Sequence, residues 1–257
     1  MIYFLSDSHL GASYIRDPKA HEAMVVDFLR SIRHDATELY LMGDMLDFWF
    51  EYKTVVPRGF VRFFGAVAEL ADAGVKVYWF KGNHDMWLFD YLAREIGMEV
   101  MDGPVVKDIG GKTFLLDHGD GVGQRPAAFK VLRRIFRNPV CRMLYATIHP
   151  RWTLALAHGW SAQSRKTATA SEYSTTITDE DNEPLVKYAC EYLSDGSHPR
   201  IDYFVFGHRH AMLDKAVGCG SRVIILGDWV NHFSYACFDG QDISLKVYGE
   251  DNELINR

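Results

Sequence analysis

Short apolar runs alternate with polar turn residues along most of the chain, and the runs have the length and composition of β-strands. They are rich in β-branched and aromatic residues and are bounded by Gly, Asp or Asn. The pattern predicts eight strands, over residues 2–5, 38–42, 76–80, 112–116, 203–206, 222–226, 235–238 and 244–248.

Two segments between the first three strands carry apolar residues at helical spacing instead. These segments are residues 21–32 and 60–73. A strand–helix–strand order predicts parallel strands with helices on the faces of the sheet. The later runs are joined by short turns, such as residues 238–241, which predict antiparallel pairing. Together these patterns predict an α/β sandwich of two sheets, in a single domain spanning residues 1–257.

The segment between the fourth and fifth predicted strands has a different pattern. Residues 127–157 have helical periodicity, interrupted near Asn138-Pro139 and His149-Pro150, and a second helical run covers 184–193. We interpret this block, roughly residues 122–200, as a helical cap inserted over the strand ends.

The charge of the chain is distributed unevenly. The net charge is −6, which by itself carries no nucleic-acid signature. Residues 121–171, however, contain nine Lys and Arg residues and no Asp or Glu, so the remainder of the chain has a charge of −15. Large apolar residues are interleaved with these cations. Such a basic amphipathic pattern predicts contact with an anionic membrane surface or with a partner. The alternative is a solvated basic face on a packed helix; nucleic acid is not expected.

The remaining bulk features predict a cytoplasmic protein and permit its peripheral contact with the inner membrane. Four cysteines form no CxxC pair, which favours reduced thiols. The first residues lack the pattern of a signal peptide, and no apolar stretch approaches the length of a membrane span.

Six short polar clusters carry the candidate chemistry, and each of them follows a predicted strand. Open α/β sheets bind ligands beyond the carboxyl ends of their strands. The clusters are Asp7-Ser8-His9, Gly43-Asp44-Met45-Leu46-Asp47, Gly82-Asn83-His84-Asp85, His118-Gly119-Asp120, Gly207-His208-Arg209-His210 and Gly227-Asp228-Trp229. Taken one at a time, an Asp after a strand is usually a turn or a helix cap, as Asp47 could be, and a single His is usually structural.

Taken together, the clusters predict a site for two divalent cations. The predicted ligands are Asp7, His9, Asp44, Asn83, His118, His208 and His210. A mixture of carboxylate, carboxamide and imidazole suits Mn, Fe, Zn or Co, with Mn the first choice, whereas an all-oxygen set would favour Mg or Ca. Asp44 is the natural bridging ligand, because its strand lies between the others in the usual winding. Two such cations activate water for attack on phosphorus.

The series D-x-H, G-D-x-x-D, G-N-H-D, H and G-H-x-H resembles the calcineurin-like metallophosphoesterases over essentially the whole chain. The resemblance implies a four-layer αββα sandwich and a binuclear metal-dependent phosphoester hydrolase. It implies one metal on Asp7, His9, Asp44 and His210, and a second on Asp44, Asn83, His118 and His208. It also implies that His84 stabilises the transition state or protonates the leaving group; Asp47 could orient His84.

Further motifs resemble the bacterial UDP-2,3-diacylglucosamine hydrolases. They include Phe-Arg-Asn-Pro at 136–139, Trp-Ser-x-x-Ser-Arg-Lys at 160–166 and Gly-Asp-Trp at 227–229. That resemblance implies hydrolysis of the pyrophosphate of an acylated UDP-sugar in lipid A synthesis, with the acyl chains held by the cap. It implies the substrate contacts Ser161, Ser164, Arg165 and Lys166. In one departure, the best-known members of that group have Arg at the position of His84.

Two other hypotheses remain open from the sequence. One is a soluble phosphodiesterase or nucleotide hydrolase of the same superfamily with another substrate. The other is a non-enzymatic scaffold, which loss of metal ligands would favour; no ligand of the pattern is missing from this sequence.

Overall fold

Two β-sheets pack face to face in the computed structural model, which describes residues 1–122, 127–153, 159 and 176–249. The six-stranded sheet has the order β11-β10-β1-β2-β3-β4, and the five-stranded sheet has the order β5-β6-β7-β9-β8. The strands of the first sheet are β1 (Ile2–Leu5), β2 (Glu38–Leu41), β3 (Lys76–Phe80), β4 (Glu99–Met101), β10 (Ser234–Phe238) and β11 (Ile243–Val247). Those of the second are β5 (Val105–Ile109), β6 (Lys112–Asp117), β7 (Tyr203–Phe206), β8 (Met212–Val217) and β9 (Ser221–Leu226).

Strand direction follows the connections. Strands β1 to β4 are parallel, as are β6, β7 and β9, while β10, β11, β5 and β8 pair antiparallel with their neighbours. The predicted antiparallel pairing of the later strands is confirmed for β10 and β11. It is wrong for β7 and β9, which pair in parallel, because strand β8 lies between them in the chain. In the parallel strands of both sheets, the carboxyl ends lie together at one edge of each sheet.

Helices cover the outer faces of both sheets. Helix α1 (Pro18–Ser31) and helix α2 (Val61–Asp72) pack on the first sheet, and helix α6 (Pro184–Ser194) packs on the second. The buried side chains form three clusters, one between each pair of adjacent layers. The predicted four-layer αββα sandwich is confirmed by this arrangement.

The side chains of strand β1 pack into two of these three clusters. Successive side chains of a strand point to opposite faces of its sheet. Tyr3 and Leu5 accordingly pack towards the helices, while Phe4 packs between the sheets. The ring of Phe4 lies 5.9 Å from the ring of Phe114 on the second sheet. Burial on both faces explains why β1 is an unbroken apolar run.

The helical insertion divides into two parts. Helix α4 (Ala127–Arg137) and helix α5 (Pro139–Thr147) are separated at Asn138, whose side chain accepts hydrogen bonds from the backbone N–H groups of Val140 and Cys141. This N-cap and Pro139 account for the predicted interruption. Helix α6 lies within the range predicted for the cap, but it belongs to the outer layer, because Leu185, Val186 and Ala189 pack on the second sheet.

Four elements are absent from the sequence-based prediction. They are β4, β5, β8 and helix α3 (Tyr91–Ile96). Strands β4, β5 and β8 lie at sheet edges, and each carries polar or exposed residues that interrupt the apolar run. Helix α3 spans only six residues, too few to show a helical period.

A buried glutamate fixes the start of α3. Glu51 is 6% exposed, and its Oε2 atom accepts hydrogen bonds from the backbone N–H groups of Phe89, Asp90 and Tyr91, at 2.6, 2.9 and 3.1 Å. We expect Glu51→Ala to lower the free energy of unfolding by about 2–4 kcal/mol, because it leaves buried donors without an acceptor. Urea denaturation followed by circular dichroism measures this loss. Glu69→Ala, which removes an exposed carboxylate, is the control and should leave the midpoint nearly unchanged.

Candidate metal centre and active site

All seven predicted metal ligands lie on loops at the carboxyl ends of parallel strands. Asp7 and His9 follow β1, Asp44 follows β2 and Asn83 follows β3. His118 follows β6, and His208 and His210 follow β7. The loops of the two sheets face each other here, so donors that are about 200 residues apart in the chain come into contact.

One group of donors comprises Asp7, His9 and His210. Asp7 Oδ1 lies 3.4 Å from His210 Nε2 and 3.6 Å from His9 Nε2. The two imidazole Nε2 atoms are 3.2 Å apart. The three ligand atoms all lie within 4.8 Å of one another, the spacing of donors around a single cation. We refer to this group as position A.

A second group comprises Asp44, His118 and His208, whose ligand atoms also lie within 4.8 Å of one another. His118 Nε2 is 3.3 Å from Asp44 Oδ2 and 3.3 Å from Asn83 Oδ1. We refer to this group, with Asn83, as position B. Asp44 Oδ2 is also 3.9 Å from His9 Nε2, so Asp44 lies between the two positions as the strand order predicted.

The residues of position A fit a divalent cation for a specific reason. Asp7 is completely buried, yet its Oδ1 atom has no hydrogen-bond partner. Buried polar atoms are normally satisfied, and an unsatisfied carboxylate oxygen is costly. A cation shared with the facing imidazole nitrogens would satisfy that oxygen. The mixed donor set suits the borderline transition metals rather than Ca.

Backbone strain concentrates at these ligands. Five of the seven have positive φ values: Asp7 (54°), His9 (43°), Asp44 (52°), His208 (65°) and His210 (52°). Positive φ is uncommon for residues other than glycine and clusters at functional sites. The flanking glycines permit close approach, because a Cβ atom on Gly82 would lie 2.1 Å from Asp44 Oδ1. A side chain at Gly207 would likewise lie 2.0 Å from Ser6 Oγ.

The electrostatics of the site favour ionised carboxylates. Burial raises the pKa of Asp44, but the nearby His118 and His84 outweigh it and hold the pKa well below its usual value. Burial lowers the pKa of His118, but Asp44 and Asp7 outweigh it and raise the pKa well above its usual value. Without cations the carboxylates thus stabilise a proton on His118. Metal binding at position B must displace that proton.

His84 lies beside the two positions and is partly open to solvent, with its side chain 18% exposed. Its Nδ1 atom is 2.9 Å from the main-chain oxygen of Asp47 and 3.5 Å from the Asp47 carboxylate. A carbonyl oxygen can only accept, so Nδ1 carries a proton in this hydrogen bond. Asp47 therefore contacts His84, with its shortest contact made by the backbone. A ring nitrogen of His84 also lies within 4.8 Å of ligand atoms of His9 and Asp44.

Two buried carboxylates that were assigned no role from the sequence support the ligand loops. Asp85 accepts hydrogen bonds from the backbone N–H groups of Gly82 and Met45 at 2.8 and 2.9 Å, and thereby joins the loops after β2 and β3. Asp228 Oδ2 lies 3.2 Å from His210 Nδ1. The Gly-Asp-Trp cluster after β9 marked Asp228 as a candidate, but only the tertiary structure identifies its partner.

The cap helices pack on the loops that carry Asp47 and His84. Trp87 donates a hydrogen bond to the main-chain oxygen of Phe136 at 3.0 Å, and its ring stacks on Tyr145. Arg133 Nε donates to the buried carboxylate of Asp120 at 2.8 Å. Arg133 thus anchors the cap. The predicted substrate contacts Ser161, Ser164, Arg165 and Lys166 lie outside the described residues.

Comparison with known proteins identifies the family. The family model described as calcineurin-like phosphoesterase matches residues 1–212. The chain belongs to the calcineurin-like phosphoesterase family. Membership, with the clustered donors, confirms the predicted metal-dependent phosphoester hydrolase and its requirement for divalent metals.

Individual relatives extend this result. A protein of Porphyromonas gingivalis (strain ATCC BAA-308 / W83) named UDP-2,3-diacylglucosamine hydrolase is 44% identical over 254 residues, which cover 95% of this chain and 96% of that protein. A Serratia proteamaculans (strain 568) protein of the same name is 28% identical, over 88% of this chain and 90% of that protein. Among solved structures, a dimetal phosphatase from Danio rerio matches with a TM-score of 0.47 and 14% identity, covering 96% of this chain and 95% of that one.

Within the described ranges, none of the helices combines the length and the apolar character that crossing a membrane requires.

Proposed function

We propose that this phosphoesterase hydrolyses UDP-2,3-diacylglucosamine to UMP and 2,3-diacylglucosamine 1-phosphate, a pyrophosphate cleavage in lipid A biosynthesis. The observation that carries the proposal is the match, over 95% of the chain, to a relative with this name. The cap described above supports it, since an acylated substrate needs an apolar surface near the dimetal site.

The chain's own residues have distinct parts in this chemistry. Two divalent cations, when bound, polarise the phosphoryl oxygens and activate water at neutral pH. Asp44, whose Oδ2 atom lies near both His118 and His9, would contribute a ligand to both positions. His84, held through Nδ1 by Asp47, lies with its ring 4.7 Å from the ring of His9. In its doubly protonated form His84 donates a proton or a hydrogen bond from Nε2 to the oxygen on which negative charge develops.

The cap presents an unusual number of exposed apolar side chains. On α4, on α5 and in residues 148–152 that follow, seven large apolar residues are between 42% and 66% exposed: Val131, Ile135, Val140, Met143, Leu144, Ile148 and Trp152. Large exposed apolar patches on soluble proteins mark binding surfaces. We call these seven residues the cap face. In this proposal the cap face serves acyl chains and the membrane from which the substrate is drawn.

The assay for the proposed reaction is direct. Purified chain loaded with Mn²⁺, the ion that we propose from the donor set, should release one UMP for each acylated sugar phosphate formed. Dialysis against EDTA should abolish turnover, and Mn²⁺ should restore it. A deacylated UDP-sugar should react much more slowly, because it cannot contact the cap.

Absence of turnover by metal-loaded protein contradicts the proposal. Ready hydrolysis of bis-p-nitrophenyl phosphate or cyclic nucleotides, with no preference for acyl chains, would instead identify a soluble phosphodiesterase or nucleotide hydrolase.

Peripheral association with the inner membrane is the second part of the proposal. The cationic cap sequence favours anionic lipid, so vesicles containing phosphatidylglycerol should co-sediment with the chain and neutral vesicles should not. Met143→Asp should weaken this binding by roughly tenfold or more, since it removes an apolar side chain from the contact and adds a like charge. Val106→Asp, at an exposed apolar position on β5 of the second sheet, is the matched control. Equal loss in both variants would show that the cap face is not the contact.

A further inference from the structure

The imidazoles of His118, His9 and His210 have chemically different partners at their Nδ1 atoms. In position B, His118 Nδ1 lies 2.8 Å from the main-chain oxygen of Met42, a neutral acceptor. In position A, His210 Nδ1 lies 3.2 Å from the carboxylate of Asp228, and His9 Nδ1 lies 3.7 Å from the carboxylate of Asp47. The histidines of position A therefore face negatively charged groups, whereas His118 faces a carbonyl.

Asp228 is built into the fold to make this contact. It follows β9 and is completely buried. The preceding Gly227 has φ = +81°, and a Cβ atom there would lie 2.3 Å from Ser234 Oγ, so only glycine permits this turn. The next residue, Trp229, donates its backbone N–H to the main-chain oxygen of Asp7 at 3.1 Å. The Asp228 turn is thus joined to the loop that carries the first ligand of position A.

The other hydrogen bonds of Asp228 fix its carboxylate in one orientation. Oδ1 accepts from the backbone N–H groups of Asn231 and His232 at 2.8 and 2.9 Å. Oδ2 accepts from the side-chain amide of Asn231 at 2.9 Å and faces His210 Nδ1. Because these donors keep the Asp228 carboxylate ionised and fixed, its Oδ2 atom can act towards His210 only as the acceptor of the Nδ1 proton. That hydrogen bond leaves the Nε2 lone pair of His210 directed at Asp7 and His9.

We propose that Asp228 is the positioning residue of His210 and that, through this hydrogen bond, it makes position A the tighter of the two cation positions. The inference rests on the two-cation site of the proposed function. A carboxylate behind a metal-bound imidazole selects its tautomer, fixes its ring and increases its basicity, and loss of such a partner typically weakens metal binding by about 10–100-fold. The main-chain oxygen of Met42 also fixes the ring of His118, but unlike the Asp228 carboxylate it carries no negative charge.

The test is a calorimetric titration of the metal-free full-length chain with MnCl₂. The unaltered chain should bind in a tighter and a weaker step. Asp228→Asn should weaken the tighter step by about 10–100-fold and leave the weaker step within about threefold. Asp239→Asn is the matched control, because Asp239 also accepts two backbone N–H groups in a turn but lies outside the site. It should leave both steps unchanged.

A second variant assigns the steps to the positions. His118→Gln removes a ligand of position B, so it should abolish the weaker step and keep the tighter one. In the double variant with Asp228→Asn, the remaining step should weaken by the same factor as in the single variant. Unchanged binding in Asp228→Asn, or selective loss of the weaker step, would overturn the inference. Failure of the unaltered chain to bind two cations would instead contradict the proposed function.

A spectroscopic measurement on the unaltered chain keeps the inference testable even if Asp228→Asn does not fold. Long-range ¹H–¹⁵N spectra of histidine-labelled, zinc-loaded protein distinguish the ring tautomers. His210 should carry its proton on Nδ1, with that proton shifted downfield by the carboxylate, and should bind metal through Nε2. A His210 ring that binds through Nδ1, or that lacks the Nδ1 proton, would rule out the positioning role.

Discussion

Replacing Asp44 is expected to abolish both metal binding and hydrolysis. Asp44 Oδ2 lies 3.3 Å from His118 Nε2 and 3.9 Å from His9 Nε2, so its carboxylate is the only predicted ligand shared between positions A and B. The metal pair contributes several kcal/mol to transition-state stabilisation, and about 4 kcal/mol corresponds to roughly a thousandfold in rate. We therefore expect Asp44→Ala to reduce turnover by at least about 10³-fold and the metal content to less than one ion per chain.

The backbone at Asp44 requires a second variant. Its φ of 52° is unfavourable for alanine but is tolerated by asparagine. Asp44→Asn keeps the shape and removes the charge, so it separates loss of metal from loss of folding. In both variants the metal content, measured by plasma mass spectrometry, and the rate of UMP release should fall together. Asp27→Ala, at an exposed position on α1, is the control and should keep both. Full activity in Asp44→Asn would refute the binuclear site.

Replacing His84 is expected to remove catalysis while metal remains bound. General acid–base groups typically contribute about 10²–10⁴-fold to the rate. We expect a decrease of that size in kcat for His84→Ala, measured on the proposed substrate with Mn²⁺. The metal content should stay close to that of the unaltered chain, because His84 is absent from the ligand sets of positions A and B. Loss of metal in His84→Ala would reassign His84 as a ligand. The exposed His34→Ala is the control.

The variant His84→Arg tells the two roles of His84 apart. Arginine donates hydrogen bonds to phosphoryl oxygens but does not release a proton in a protein. Recovery of activity relative to His84→Ala would show that the residue at this position stabilises negative charge. Activity as low as that of His84→Ala would show that proton donation to the leaving group is required.

The sequence predicted the main elements and marked the candidate metal ligands because both depend on local patterns. A short apolar run marked β1 and period-3.6 spacing marked α1, and the donors were recognisable as polar residues after apolar runs. The sequence pattern did not predict edge strands such as β8, because only some of their side chains are buried. The predicted cap range included α6, which packs as an outer layer of the sandwich, because apolar periodicity shows that a helix buries one face but not which surface covers it.

The sequence by itself predicted the order of the main elements, seven candidate donors and the class of chemistry, because strand direction places the ends of parallel strands at one edge. The tertiary structure alone decided which donors share a cation, since His9 and His210 meet across 201 residues. It also decided the left-handed backbone at Asp7 and His210, the orientation of His84 by the Asp47 carbonyl, and the partner of Asp228. These features depend on distances between distant segments, and packing of the two sheets sets those distances.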